Sequence, residues 1–177
     1  DGAGRISGVI AGLEWIAAHH QPAAVANLSI GARASASMDD TLHHLIDSGV
    51  FVAAAAGNDN GSACNDSPAR VGSVLTVGAS TKEDERAVFS NFGPCVDVFA
   101  PGAEITSAWH THDEAHRTIS GTSMASAHAC GVAALLREQH PQLAPGDIFR
   151  MILTSAAEDK LSGVGGDSAN LLLHIGR

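Results

Sequence analysis

Ile6, Val9, Ile10, Leu13 and Ala17 recur at the i, i+3, i+4, i+7 spacing of a single helix face. That spacing predicts a helix packed against a sheet. The segment "AVANLSI" (24–30) then reads as a strand, and "DDTLHHLIDSG" (39–49) predicts a second helix, with acidic residues at its start and Gly49 as its stop. "VFVAAAAGN" (50–58) is apolar on both faces, as buried parallel strands are. "SVLTVGAS" (73–80) and "CVDVFAPG" (95–102) predict two further short strands ending in turn residues. A helix follows through "SGTSMASAHACGVAAL" (120–135) to Glu138, and "GDIFRMILTSA" (146–156) predicts the last one. Strands alternating with helices imply an α/β fold, its mostly parallel central sheet flanked by helices.

Sites in such folds form beyond the carboxyl ends of the strands. Asn58 stands at one of these ends, although beside Gly57 it also reads as an ordinary turn residue. Ser123 falls in the first turn of the helix that follows "SGT". Two readings are open for it. A serine there can cap the helix by accepting a bond from a free backbone N–H. It can also be a nucleophile held at the positive end of the helix.

The composition narrows the class. With 177 residues, 45% of them hydrophobic and 16% charged, the chain is long enough for one domain with a real core. A net charge of −9 argues against a nucleic-acid surface and leaves room for bound cations. No apolar run reaches membrane-spanning length, so a soluble protein without a membrane partner is expected. The chain starts at Asp1 with no initiator Met, which reads as a processed or cut product. Of the three cysteines, Cys130 lies among small apolar residues and reads as a core thiol. Cys64 and Cys95 lie in loops; a bridge between them is possible, and the sequence alone does not pair them. Nothing here cradles a phosphate, since no G-x-G-x-x-G or P-loop follows a strand.

Taken together, "GTSMAS" around Ser123, "AAAAGNDN" around Asn58 and "NLSIG" at 27–31 resemble the subtilisin-like serine proteases, in that order. "SGVIAGLEWI", "LTVGAS", "FSNFG" and "VDVFAPG" are most similar to the proteinase K branch and its aqualysin-type bacterial enzymes. The resemblance covers almost the whole chain. It implies that Ser123 is the nucleophile and that Asn58 gives the side-chain donor of the oxyanion hole, beside the Ser123 N–H. It also implies that Ser29, Ile30 and Gly31 pair with an extended substrate by strand addition. Ala55, Ala56 and Gly57 match a wall of the pocket for the side chain before the scissile bond, implying broad specificity with an apolar or aromatic leaning. A Cys64–Cys95 disulfide and an oxidising, extracellular compartment follow from the same resemblance. So does a structural calcium held by backbone oxygens of Gly72 and Val74 and the Asp97 carboxylate. No organic cofactor is implied.

The departures matter as much. The family order is Asp, His, Ser. This chain has no strand carrying Asp-x-Gly and no helix opening with His-Gly-Thr, and none of its ten histidines lies in such a motif. His128 belongs to the motif after the serine and is not the base. The pairs His19-His20 and His43-His44 fall late on helices, where a cation is favourable. His110, His112 and His116 have metal-like spacing in a variable loop, but no metal is assigned to them. Ser126-Ala127 stands where the family has Thr-Pro or Ser-Pro, and Ala32-Arg33 replaces a glycine run. The expectation is therefore that residues 1–177 are the C-terminal portion of one catalytic domain of a serine endopeptidase. Its partners are a peptide or protein substrate and the missing N-terminal part, and alone it is inactive. A non-catalytic peptide-binding relative is the alternative.

Overall fold

A computed structural model describes residues 4–175. Helix α1 (Ile6–His19) leads to strand β1 (Val25–Leu28) and the short β2 (Ala32–Arg33). Helix α2 (Ala36–Asp47) starts three residues before the acidic pair that marks it in the sequence, because the Ser35 hydroxyl accepts from Met38 N at 3.4 Å and caps it. Then come β3 (Phe51–Ala55), β4 (Asp66–Ser67), β5 (Leu75–Ser80) and β6 (Val98–Pro101). The segment holding His110, His112 and His116 is an antiparallel hairpin, β7 (Ile105–Ala108) with β8 (His116–Ile119), where a loop is expected. Helices α3 (Thr122–Gln139) and α4 (Pro145–Ser155) follow, then β9 (Ala157–Glu158) and β10 (Leu171–Leu172).

The main sheet runs β1-β3-β5-β6-β10-β9 and is parallel except for β9. Strand β3 shows why both of its faces are apolar. Phe51 and Ala53 face α3 and α4, joining Ala125, Ala129, Ile148 and Ile152. Val52 and Ala54 face the other way, with Leu13 of α1 and Met38, Leu42 and Leu45 of α2. Full burial of Leu42 and Leu45 contributes about 1.5–3 kcal/mol each. The alanines on α3 let that helix lie close beneath the strands, and this sets its first turn at their carboxyl ends.

Arg137 ties the far end of α3 down. Its guanidinium donates to Leu143 O at 2.5 Å, to Ala24 O at 3.4 Å and to Gly49 O. Burial pulls its pKa below the ordinary arginine range. Strand β1 stands at one extreme of the sheet and pairs only with β3 among the described residues, so one of its edges is open.

Candidate active site

Three segments converge at the start of α3: the turn after β3, the segment after β1, and α3 itself. Gly121 is the residue that caps α3, with no side-chain bond, and Ser123 is the second residue inside the helix. The Ser123 hydroxyl is therefore not the cap. Its N–H is among those that an α-helix leaves without an internal acceptor.

Asn58 is fixed from two sides. Its Oδ1 accepts from Thr122 N at 2.8 Å and from Thr122 Oγ1 at 3.0 Å. Thr122 Oγ1 in turn accepts from Gly57 N at 3.1 Å. With the amide oxygen engaged by two donors, the Nδ2 group is presented on the opposite side.

Asn91 clamps the turn that carries Asn58. Its Nδ2 donates to Ala56 O at 2.9 Å, and its Oδ1 accepts from Asp59 N and Gly61 N at 3.0 Å each. Gly57 has a φ of +104°, and a Cβ there would come within 2.2 Å of Asn91 Nδ2. Only glycine meets both demands.

The segment after β1 is joined to the serine itself. Ser29 Oγ donates to the Ser123 carbonyl at 2.9 Å and accepts from Asn27 Nδ2 at 2.9 Å. Ser126 Oγ donates to the same carbonyl at 3.1 Å. Ser29, Ile30 and Gly31 face Ala55, Ala56, Gly57 and Asn58 across a cleft of about 400 Å³ that also reaches Ser123. On the other side of Ser123 lies a larger, mostly apolar hollow of about 930 Å³, lined by Met124, Ala127, His128, Leu135 and Ile175 among others. His128 stands on α3 with its Nδ1 engaged by Met124 O at 2.9 Å.

A model described as the Subtilase family matches residues 1–171. The chain belongs to that family. It is 48% identical over 174 residues to an extracellular serine proteinase of Thermus sp. (strain Rt41A), covering 98% of this chain and 42% of that protein. It is 46% identical over 173 residues to alkaline serine exoprotease A of Vibrio alginolyticus, covering 98% of this chain and 32% of that protein. The crystal structure of a cold adapted subtilisin-like serine proteinase matches with a TM-score of 0.96 at 45% identity, over 100% of this chain and 64% of that one. This subtilase chain thus spans less than half the length of the two curated relatives.

The fold brings Ser123, Asn58, the 29–31 segment and the 55–57 segment into one site. Thr122 and Asn91 hold it, and sequence reasoning gave neither a role. The signal for Asn91 was a polar pair, Ser90-Asn91, set between Phe89 and Phe92; both polar residues are fully buried.

Cys64 and Cys95 are bonded, with Cα atoms 5.3 Å apart, and Cys130 is a buried free thiol whose pKa burial raises. Asp97, just before β6, lies apart from the cleft. Its Oδ2 accepts from Thr76 N at 2.7 Å, and burial pushes the carboxyl up to about 7 against that bond. Gly72 and Val74 lie in the turn that leads into β5. Among the described residues no group of three His, Cys, Asp or Glu side chains converges to hold a metal.

Proposed function

We propose that this chain is the C-terminal portion of the catalytic domain of a secreted, subtilisin-like serine endopeptidase of broad specificity that works through an acyl-enzyme on Ser123. The observation that carries the reading is the Asn58 amide, oriented by Thr122 beside the serine at the N-terminus of α3. A module that only bound peptides would need no such amide.

The chemistry follows from the donors. Ser123 Oγ attacks the carbonyl carbon of a peptide laid along Ser29, Ile30 and Gly31, and its proton passes to a base. The carbonyl oxygen becomes an oxyanion, held by Asn58 Nδ2 and the Ser123 N–H. The C–N bond breaks, the amine leaves with the proton, and water then releases the acyl group from Ser123. The base and the acid that orients it belong to the part of the domain that precedes this chain. That part is the occupant of the apolar hollow beside Ser123 and of the open β1 edge. The solved relative supports this reading, because the whole of this chain matches only 64% of that protein.

Calcium fits the residues around Asp97. Asp97 is a half-buried carboxylate with no ion-pair partner among the described residues. With backbone oxygens of Gly72 and Val74, in the turn that leads into β5, it would supply the hard-oxygen donors that this cation selects. Its role there is structural. The extracellular setting rests on the bonded cysteines and on the secreted relative.

The test is covalent labelling. The chain joined to its upstream part should take up a serine-directed phosphonylating reagent at Ser123 and cleave peptides, and Ser123→Ala should abolish both. An adduct on another serine, or full activity of Ser123→Ala, sinks the assignment.

A further inference from the structure

The cleft beside Ser123 has small apolar residues along its length, yet it also carries charge. Asp59, exposed beside Asn58, lines it together with Arg33 and Asp66. The last two come from β2 and β4, which pair antiparallel and set Arg33 opposite Asp66 in the lining of the cleft.

Strand alternation decides which way Asp66 faces. The neighbouring Ser67 turns its hydroxyl toward α2, donating to Asp39 Oδ1 at 2.6 Å and accepting from Ser35 N at 3.0 Å. Successive side chains on a strand point to opposite faces, so Asp66 points away from α2, and it is among the residues that line the cleft. Arg33 is its cross-strand partner in the register. The two do not form an ion pair: those among the described residues are Arg70–Asp39, Lys82–Glu83 and Arg150–Asp147. Arg33 is exposed, whereas Asp66 is half-buried. The cleft lining therefore holds two carboxylates against one guanidinium, and Asp66 has no ion-pair partner among the described residues.

We propose that Asp66 makes this cleft favour a basic side chain, lysine or arginine, on the substrate residue whose carbonyl Ser123 attacks. The methylene stem of such a residue suits the Ala55, Ala56 and Ala69 walls. Its charged head meets an unpaired carboxylate partly shielded from water, where attraction exceeds that of a surface pair. The inference rests on the peptidase reading and narrows it. The small walls still admit apolar residues, so Asp66 sets a preference within a broad range.

The test uses the chain joined to its upstream part and two peptides that differ only at this residue, lysine against norleucine, its uncharged counterpart. Specificity is the ratio of their kcat/KM values. The natural sequence should favour lysine by about tenfold, the scale of one partly shielded ion pair, and Asp66→Asn should remove that advantage. Asp66→Glu should keep the preference, and Arg33→Ala should raise it by removing the one positive charge that lines the cleft. Titration of Ser123 with a phosphonate counts correctly folded sites, so a misfolded variant cannot pass for a lost preference. The ratio for the natural sequence needs no variant at all. A ratio of one or below, or a preference that survives in Asp66→Asn, overturns the role of Asp66 while norleucine cleavage keeps the peptidase reading intact. If neither peptide is cleaved and Ser123 takes no label, the peptidase reading fails and this inference falls with it.

Discussion

Thr122 uses one hydroxyl to accept from Gly57 N and donate to Asn58 Oδ1, and its own N–H reaches the same oxygen. Asn58 is exposed, so without these bonds its amide would rotate among hydrated states and its Nδ2 would be aimed only part of the time. Preorganisation of this kind acts when charge develops, not when substrate binds. In the enzyme joined to its upstream part, Asn58→Leu should therefore lower kcat by about 100- to 1,000-fold, the range found when subtilisin loses its own such donor, with KM nearly unchanged. Thr122→Val keeps the shape and removes the hydroxyl. It should cost about tenfold in kcat, the loss of roughly 1.4 kcal/mol of transition-state stabilisation, with little change in KM. Thr122→Ser, which restores the oxygen, should recover most of it. A Thr122→Val variant that changes KM and not kcat would show that the hydroxyl holds the substrate cleft rather than the amide.

The elements around the site explain what could be read from the chain and what could not. The apolar run 50–56 declares a buried central strand because its side chains have no polar face to offer water. The two-residue strands β2, β4, β9 and β10 have too few positions for any periodicity, and their pairing comes from chain segments far apart in sequence. Ser123 and Asn58 stand in recognisable motifs, whereas Asn91 acts by filling the hydrogen bonds of a distant turn, which spacing does not reveal. Two fastenings at this scale are testable. The Cys64–Cys95 bond closes a separation of 31 residues, so Cys64→Ser should cost about 3–4 kcal/mol in denaturant unfolding of the whole protein. Asp97 bridges β5 and the entry to β6 through Thr76. Its folded-state carboxyl, at about 7, lies above the ordinary aspartate value of 3.8. The fold then holds a proton that the unfolded chain has lost, so without a cation this group makes stability fall as pH rises between those values. Calcium should reverse that loss above pH 7, raising Tm there more than at pH 5. Asp97→Asn should abolish the pH-dependent part of the response. An unchanged Tm on calcium addition to the whole protein removes the site.

For the whole molecule, the question that the peptidase reading raises is what Ser123 could do without a base. A serine hydroxyl at neutral pH is a weak nucleophile until a neighbouring base takes its proton. The oxyanion donors alone retain only a small residue of the rate. On this argument, the chain by itself should hydrolyse no peptide at a useful rate, even where it holds its fold. Its surface says how it should behave meanwhile. Leu135 is 47% exposed and Ile175 60% exposed beside the hollow that reaches Ser123, and the open edge of β1 offers unpaired backbone groups next to it. Edges and apolar faces of that kind associate with whatever covers them, including other copies. Mixed with the upstream part of the domain as a separate polypeptide, the chain should therefore become more soluble, gain peptidase activity, and acquire phosphonate reactivity at Ser123 together. Sedimentation, peptide hydrolysis and mass mapping of the adduct read the three effects independently. A partner that covers the apolar face, shown by a defined one-to-one complex, but leaves Ser123 unreactive would mean that the base is supplied from elsewhere. Comparable activity in the chain alone would mean that no outside base is needed.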